Sequence, residues 1–142
     1  MSPYIIIILA AIAFGLWTVF HQIASTSINQ VLGAVIVSAT AVVIGLVTLL
    51  VQQVKFSELT VSTKGVTFLV LAGVMAFALD ILALKAYAKG IPITVGAPIL
   101  IGGSIVVASV IGVLMGESVS VVKITGLILV VGGAIILSMT TA

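Results

Sequence analysis

One acidic side chain, Asp80, lies within the apolar run Phe77-Ala78-Leu79-Asp80-Ile81-Leu82. A carboxyl inside a long apolar helix is costly where it faces lipid, so we expect it to face a bundle interior or a water-filled cavity. The residue type predicts a proton-linked or cation-contacting site. The alternative is a structural carboxyl that hydrogen-bonds to a neighbouring helix. Tyr87 follows on the same helical face, whereas Lys85 lies about 140° around the helix and is better placed to snorkel to the interface.

A second candidate is an aromatic face in the first apolar run. Phe14, Trp17 and His21 are spaced i, i+3 and i+7, so they share one side of a helix. Such a face can line a pocket for an apolar or cationic solute. The alternative is ordinary packing, with Trp17 and His21 near the headgroup belt, and for His21 the sequence favours that belt. No Cys and no second His is present, so we expect no metal site.

Small residues recur in the fourth apolar run at Ser104, Ala108, Gly112 and Gly116. A small residue at every fourth position lets membrane helices approach closely, so this stripe predicts helix packing. Pro98 lies earlier in the run and removes one backbone hydrogen bond, which permits a kink. A kink there is typical of a transport path and equally of a purely structural bend.

Other functional classes lack support. No nucleophile–base pair, phosphate-binding glycine loop or paired carboxylates are visible, so we expect neither an enzyme nor a cofactor. The net charge of +2 comes from scattered lysines and indicates no nucleic-acid partner. Glu117, with Lys123 across a short turn, is interpreted as an orientation and capping feature.

The elements that must position these residues are predicted to be membrane helices. The chain is 63% hydrophobic and 6% charged, whereas soluble domains are roughly 25% charged. The apolar runs are twice the length of a barrel strand and lack its alternation, which argues against strands. We therefore expect an all-α integral membrane protein, a bundle of five transmembrane helices in the cell (plasma or inner) membrane, with no cleaved signal peptide. The predicted helices cover about 3–22, 30–51, 65–88, 91–116 and 121–139.

Loop lysines determine the expected orientation. An odd number of spans places the termini on opposite sides of the membrane. Lys55, Lys64 and Lys123 lie on the N-terminal side, against Lys85 and Lys89 on the other. This weak bias favours a cytoplasmic N-terminus by the positive-inside rule. It is also what a chain that inserts in both orientations would show.

With these residues in view, the chain resembles the EamA family of the drug/metabolite transporter superfamily. The resemblance covers residues 1–142 as one domain and is closest to small single-repeat members. Asp80 and the stretch Ile101-Gly102-Gly103-Ser104 depart from the family's usual pattern. The ordered motifs that carry the resemblance are Gly15-Leu16-Trp17, Ala86-x3-Gly90, Pro98, Gly116-Glu117, Gly126 and Gly132-Gly133.

The resemblance implies a transporter. Full-length relatives hold two inverted five-helix repeats around a central cavity and move small metabolites, amino acids or drugs, so a single repeat must dimerise. We expect an antiparallel homodimer, or else a heterodimer with a paralogue, that carries a small organic solute by alternating access. The alternatives are a non-transporting membrane subunit that packs with a larger partner, a small multidrug-type cation exporter, and a component of a lipid-linked sugar flippase. The expected solute path is lined by Phe14, Trp17, His21, Asp80, Tyr87 and Pro98.

Overall fold

The computed structural model describes residues 2–53 and 61–139, and no strand occurs among them. Each of the five helices found there is long and apolar enough to cross a bilayer. The predicted all-α, multi-pass membrane fold is therefore confirmed. The helices are α1 (Pro3–Ala24), α2 (Gln30–Val51), α3 (Thr63–Ala88), α4 (Ile93–Leu114) and α5 (Val121–Met139).

The helix ends lie within two residues of those expected from the apolar runs. α1 and α3 are longer than expected, because α1 continues to Ala24 and α3 starts at Thr63. α4 is shorter at both ends, since Pro92 is its N-cap and Met115 its C-cap. Lys55 and Glu58, in the longest polar stretch, lie outside the described residues.

Short polar side chains start two of the helices. The Asn29 carboxamide oxygen accepts hydrogen bonds from the backbone N–H groups of Val31 (3.0 Å) and Leu32 (3.2 Å). At the start of α3, the Ser62 hydroxyl oxygen accepts one from the N–H of Gly65 (3.0 Å). Each cap satisfies amide groups that the first helical turn leaves without intrahelical partners. In lipid such groups would be especially costly to leave unpaired.

The chain separates into two compact units, and the first comprises Met1–Val19 with Gly90–Ala142. Within it α4 packs against α5 at Gly102, which is buried. A Cβ atom at Gly102 would lie 3.2 Å from the Cβ of Ala134 and 3.9 Å from Val130. The missing side chain thus allows the two backbones to approach closely, as in other membrane helix pairs.

The second unit comprises Phe20–Lys89, in which α2 packs against α3. The contact is again made by a small residue: a Cβ at Gly33 would lie 2.7 Å from Cδ1 of Leu84. Ala34, Ala83 and Leu84 are all at most 2% exposed. This is the most fully buried part of the unit, and it lies beside the polar groups described below.

Most of the remaining helical surface is apolar and exposed. No residue of α5 is buried, and only Gly33 and Ala34 of α2 are. An exposed Leu, Ile or Val surface this continuous cannot be left in water, because large exposed apolar patches drive association or aggregation. A bilayer covers it without any further protein, and the helices satisfy their own backbone hydrogen bonds.

Candidate functional site

The second unit contains a buried pair of ionisable side chains. Nε2 of His21 lies 3.0 Å from Oδ1 of Asp80, within hydrogen-bond distance. The two residues are 4% and 5% exposed. Removing such groups from water is expensive unless they satisfy each other, and this hydrogen bond supplies that compensation.

Two helices position the pair. His21 lies in the last turn of α1. Asp80 is the first residue of the buried face of α3, which continues through Ala83, Leu84 and Tyr87. That spacing of i, i+3, i+4 and i+7 is the one that places side chains on one side of a helix. Asp80 and Tyr87 therefore share a face, as the spacing predicts.

The sequence favoured the headgroup belt for His21, and its depth in a membrane stays a prediction. The imidazole is in the last turn of α1, where it is buried and hydrogen-bonded. The physical reason is the carboxyl group on α3, which needs a hydrogen-bonding partner once it is out of water. Lys85, by contrast, is exposed and forms no ion pair with Asp80, in agreement with its angular separation.

The hydrogen bond between the two side chains contains one proton. Either the imidazole Nε2–H donates to an ionised carboxylate, or a protonated carboxyl donates to Nε2. A neutral imidazole beside a carboxylate has a net charge of −1, and one additional proton makes the pair neutral overall. Both side chains are titratable, so the pair is a candidate site for a proton or a cation.

Tyr87 adds a polar group without a partner. The residue is 3% exposed, and its hydroxyl has no hydrogen-bond partner among the described residues. A buried hydroxyl left unpaired costs about 1–3 kcal/mol. The Tyr87 hydroxyl is therefore available to form a hydrogen bond with a molecule outside this chain, such as a solute or a water molecule. Ser25, also buried, is different because its hydroxyl donates to the carbonyl of Gln22 (2.8 Å).

The remaining predicted path residues lie in the first unit. The rings of Phe14 and Trp17 stack with centroids 5.3 Å apart and planes inclined by 19°, and both residues are half-buried. Next to them Thr18 is 2% exposed, with its hydroxyl donating to the carbonyl of Gly15 (2.7 Å). Pro98 lies half-buried inside α4. Their assignment to a solute path stays a prediction.

The small-residue stripe on α4 is not the surface that packs on α5. Ser104 and Ala108 are exposed, and Gly112 is half-buried beneath the side chain of Glu117. Gly116 lies beyond the last residue of the helix, Leu114. Gly102, two positions before the stripe begins, makes the helix contact instead. Packing of the stripe against another chain stays a prediction.

The direct pairing of His21 with Asp80 was missed from the sequence, although both residues were candidates. A usable signal was present, because a buried carboxyl demands a partner and His21 is the only histidine of the chain. Among the described residues, no group of three or more His, Cys, Asp or Glu side chains could hold a metal ion.

Comparison with known proteins identified no relative of this chain. No protein-family model, curated protein or solved structure matches this chain.

Proposed function

We propose that this protein is a half-size transporter of the EamA type, which dimerises in the cell membrane and moves a small organic solute by alternating access. The observation that carries the proposal is the buried His21–Asp80 pair, in a chain whose helices are long and apolar enough to span a bilayer. Ionisable side chains within membrane helices are rare and commonly belong to ion, proton or substrate pathways.

The pair supports coupling between a proton and the solute. When the imidazole is neutral and the carboxyl is ionised, the pair has a net charge of −1 and attracts a cation, and one more proton removes that charge and weakens the attraction. Proton and cationic solute then compete for one site, so binding of the solute releases the proton to water. α2 carries no charged or titratable side chain, and on α3 the nearest charged side chain to Asp80, Lys85, is exposed. Among the described residues, His21 is therefore the titratable side chain that contacts Asp80.

Dimerisation is inferred from the family that the chain resembles. One five-helix repeat cannot enclose a cavity with the symmetry of the two-repeat family that it resembles. Two copies inserted in opposite orientations restore the inverted-repeat arrangement, in which solute sites lie between the repeats near the bilayer midplane. An antiparallel homodimer is the assembly we propose, and a heterodimer with a paralogue would meet the same requirement.

The test is transport by proteoliposomes under an imposed pH gradient, with ethidium as the organic-cation probe. Asp80→Asn keeps an oxygen that accepts the His21 hydrogen bond but removes the ionisable carboxyl. We expect this variant to lose pH-driven ethidium transport while it still assembles as a dimer. Thr40→Val is the matched control, since the Thr40 hydroxyl is exposed and bonds only within its own helix, to the carbonyl of Ile36 (2.8 Å). Unchanged pH-driven transport in Asp80→Asn would remove Asp80 from the mechanism.

The hydrogen bond itself favours a second candidate function. A non-transporting membrane subunit could use the same pair only to hold α1 against α3 while it packs with a larger partner. The double variant His21→Gln/Asp80→Asn separates the two functions, because two amide side chains retain a hydrogen bond but cannot exchange a proton. Transport is lost in this variant if the pair couples protons. Purification in a stable complex with an unrelated membrane protein, unaffected by the double variant, would favour the subunit.

A further inference from the structure

In the turn between α4 and α5, the carboxylate of Glu117 occupies a position where an apolar side chain is usual. Gly116 has a φ of +92°, and its N–H donates to the carbonyl of Val113 (3.0 Å). The N–H of Glu117 donates to the carbonyl of Gly112 (3.0 Å). These two bonds form a Schellman motif, in which the residue at the position of Glu117 is commonly apolar and contacts the helix at the position of Gly112. Here the contact is made by a carboxyl group.

Gly112 provides the space for that contact. A Cβ atom at this position would lie 3.2 Å from both Cδ and Oε2 of Glu117. The carboxylate is therefore folded back over the C-terminal turn of α4. The carbonyl end of a helix carries partial negative charge, so this is an unfavourable place for an anion without a cation beside it. Among the described residues, the Glu117 carboxylate has neither an ion pair nor a hydrogen bond.

A cation lies on the same turn but has a different partner. The ammonium group of Lys123 donates to the backbone carbonyl of Ser118 (2.9 Å). An ammonium has three N–H donors, so two remain for another acceptor. The turn therefore presents one carboxylate and one partly engaged ammonium, and they form no ion pair with each other.

Both groups border a single groove within the first unit. The groove has a volume of about 350 Å³, and its walls include Val110, Val113, Ile124 and Leu127 as well as the two charged residues. This volume is within the usual range for ligand sites. The groove lies at the C-terminal end of α4 and the N-terminal end of α5. The ends of membrane-spanning helices lie at the level where lipid headgroups meet acyl chains.

We propose that this groove, defined by Glu117, Lys123 and the apolar walls between α4 and α5, binds a phospholipid with a primary-ammonium headgroup. The lipid ammonium donates to the Glu117 carboxylate, and the lipid phosphate accepts from Lys123. One acyl chain lies along Val113 and Leu127. Charge complementarity decides the lipid class: a choline headgroup has no N–H to donate, and a glycerol headgroup has no cation for Glu117.

The experiment is native mass spectrometry of the purified full chain with dioleoyl phosphatidylethanolamine, phosphatidylcholine or phosphatidylglycerol added at equal concentrations. We expect the ethanolamine lipid to bind most tightly. Glu117→Gln should weaken its binding about tenfold, the size expected for one lost charge-assisted hydrogen bond, and should leave binding of the glycerol lipid unchanged. Lys123→Gln should weaken all three lipids, since each carries the phosphate.

Lys64→Gln is the matched control, because it also removes one charge but lies on α3, outside the groove. Three results would overturn the proposal: equal binding of the three lipids, a preference for the ethanolamine lipid that persists in Glu117→Gln, or equally tight binding of soluble phosphoethanolamine, which lacks acyl chains. If Glu117→Gln were poorly folded, Gly112→Ala provides a second test, because its Cβ displaces the carboxylate while the charge remains. Lipid binding is measured without transport, so the result is independent of the proposed transport function.

Discussion

At the scale of single residues, the buried His21–Asp80 pair is the feature on which the proposed function depends. Each side chain would be costly alone in an apolar interior, and together they form one hydrogen-bonded unit. The same burial leaves the hydroxyl of Tyr87 without a partner among the described residues. A satisfied and an unsatisfied polar group thus occur on one face of α3, and the unsatisfied one needs a physical explanation.

Replacement of Tyr87 by Phe tests whether that hydroxyl serves a ligand. Because it has no partner among the described residues, its removal should leave the melting temperature in detergent unchanged or raise it. If the hydroxyl binds the transported solute, KM should rise about three- to tenfold, the value of one hydrogen bond. Tyr4→Phe is the matched control, since Tyr4 is 79% exposed. A lower melting temperature for Tyr87→Phe alone would instead reveal a structural role.

At the scale of helices, glycines determine which faces meet. Gly33 lets α2 approach Leu84 of α3, and Gly102 lets α4 approach Ala134 of α5. Other glycines in the same helices, including Gly45 and Gly103, have no neighbouring atom within 4 Å of a Cβ placed on them. Close approach is therefore local to particular turns, and dispersion contacts at those turns stabilise the helix pairs.

Gly33→Ala should destabilise the α2–α3 pair. The new Cβ would lie 2.7 Å from Cδ1 of Leu84, a fully buried side chain with little room to move. Overpacking of this kind costs about 1–3 kcal/mol, measurable as a lower midpoint of unfolding in detergent. Gly45→Ala, the same change in the same helix, should be neutral. Truncation of the neighbour in Gly33→Ala/Leu84→Val should recover part of the loss, and equal midpoints for the two single variants would refute this account of the contact.

At the scale of the whole molecule, the chain is a multi-pass membrane protein with very little polar surface to define its orientation. The described lysines lie near helix ends, and the sequence predicts Lys64 and Lys123 on the N-terminal side of the membrane and Lys85 and Lys89 on the other. A nearly balanced distribution gives the positive-inside rule little preference between the two insertions. Dual insertion is also what an antiparallel homodimer of one repeat requires.

Reporter fusions at the two termini test this orientation. If the proposed antiparallel homodimer forms, a reporter active outside the cytoplasm and a reporter active inside it should each give a signal at both the N-terminus and the C-terminus. Addition of two lysines on one side, as Val61→Lys/Thr63→Lys, leaves the Ser62 cap in place and should shift the population to a single orientation by the same electrostatic rule. A single fixed orientation in the unaltered chain would be evidence for a parallel assembly or a heterodimer.

The sequence by itself determined that the chain is helical and membrane-spanning, and where each helix begins and ends to within two residues. These properties are local, because they depend on the length of apolar runs and on caps such as Asn29 and Ser62. It also identified Asp80 as the residue that needs a partner.

Only the tertiary structure decided that the partner is His21, and that Gly102 rather than the Ser104 stripe lies against α5. The reason is physical: a membrane helix is apolar on nearly all sides, so hydrophobic periodicity does not distinguish the packed face from the lipid-facing one. The rotation and register of each helix are set by contacts between helices distant in sequence. The groove that brings Glu117 and Lys123 beside apolar walls is likewise a product of packing, and spacing along the chain does not reveal it.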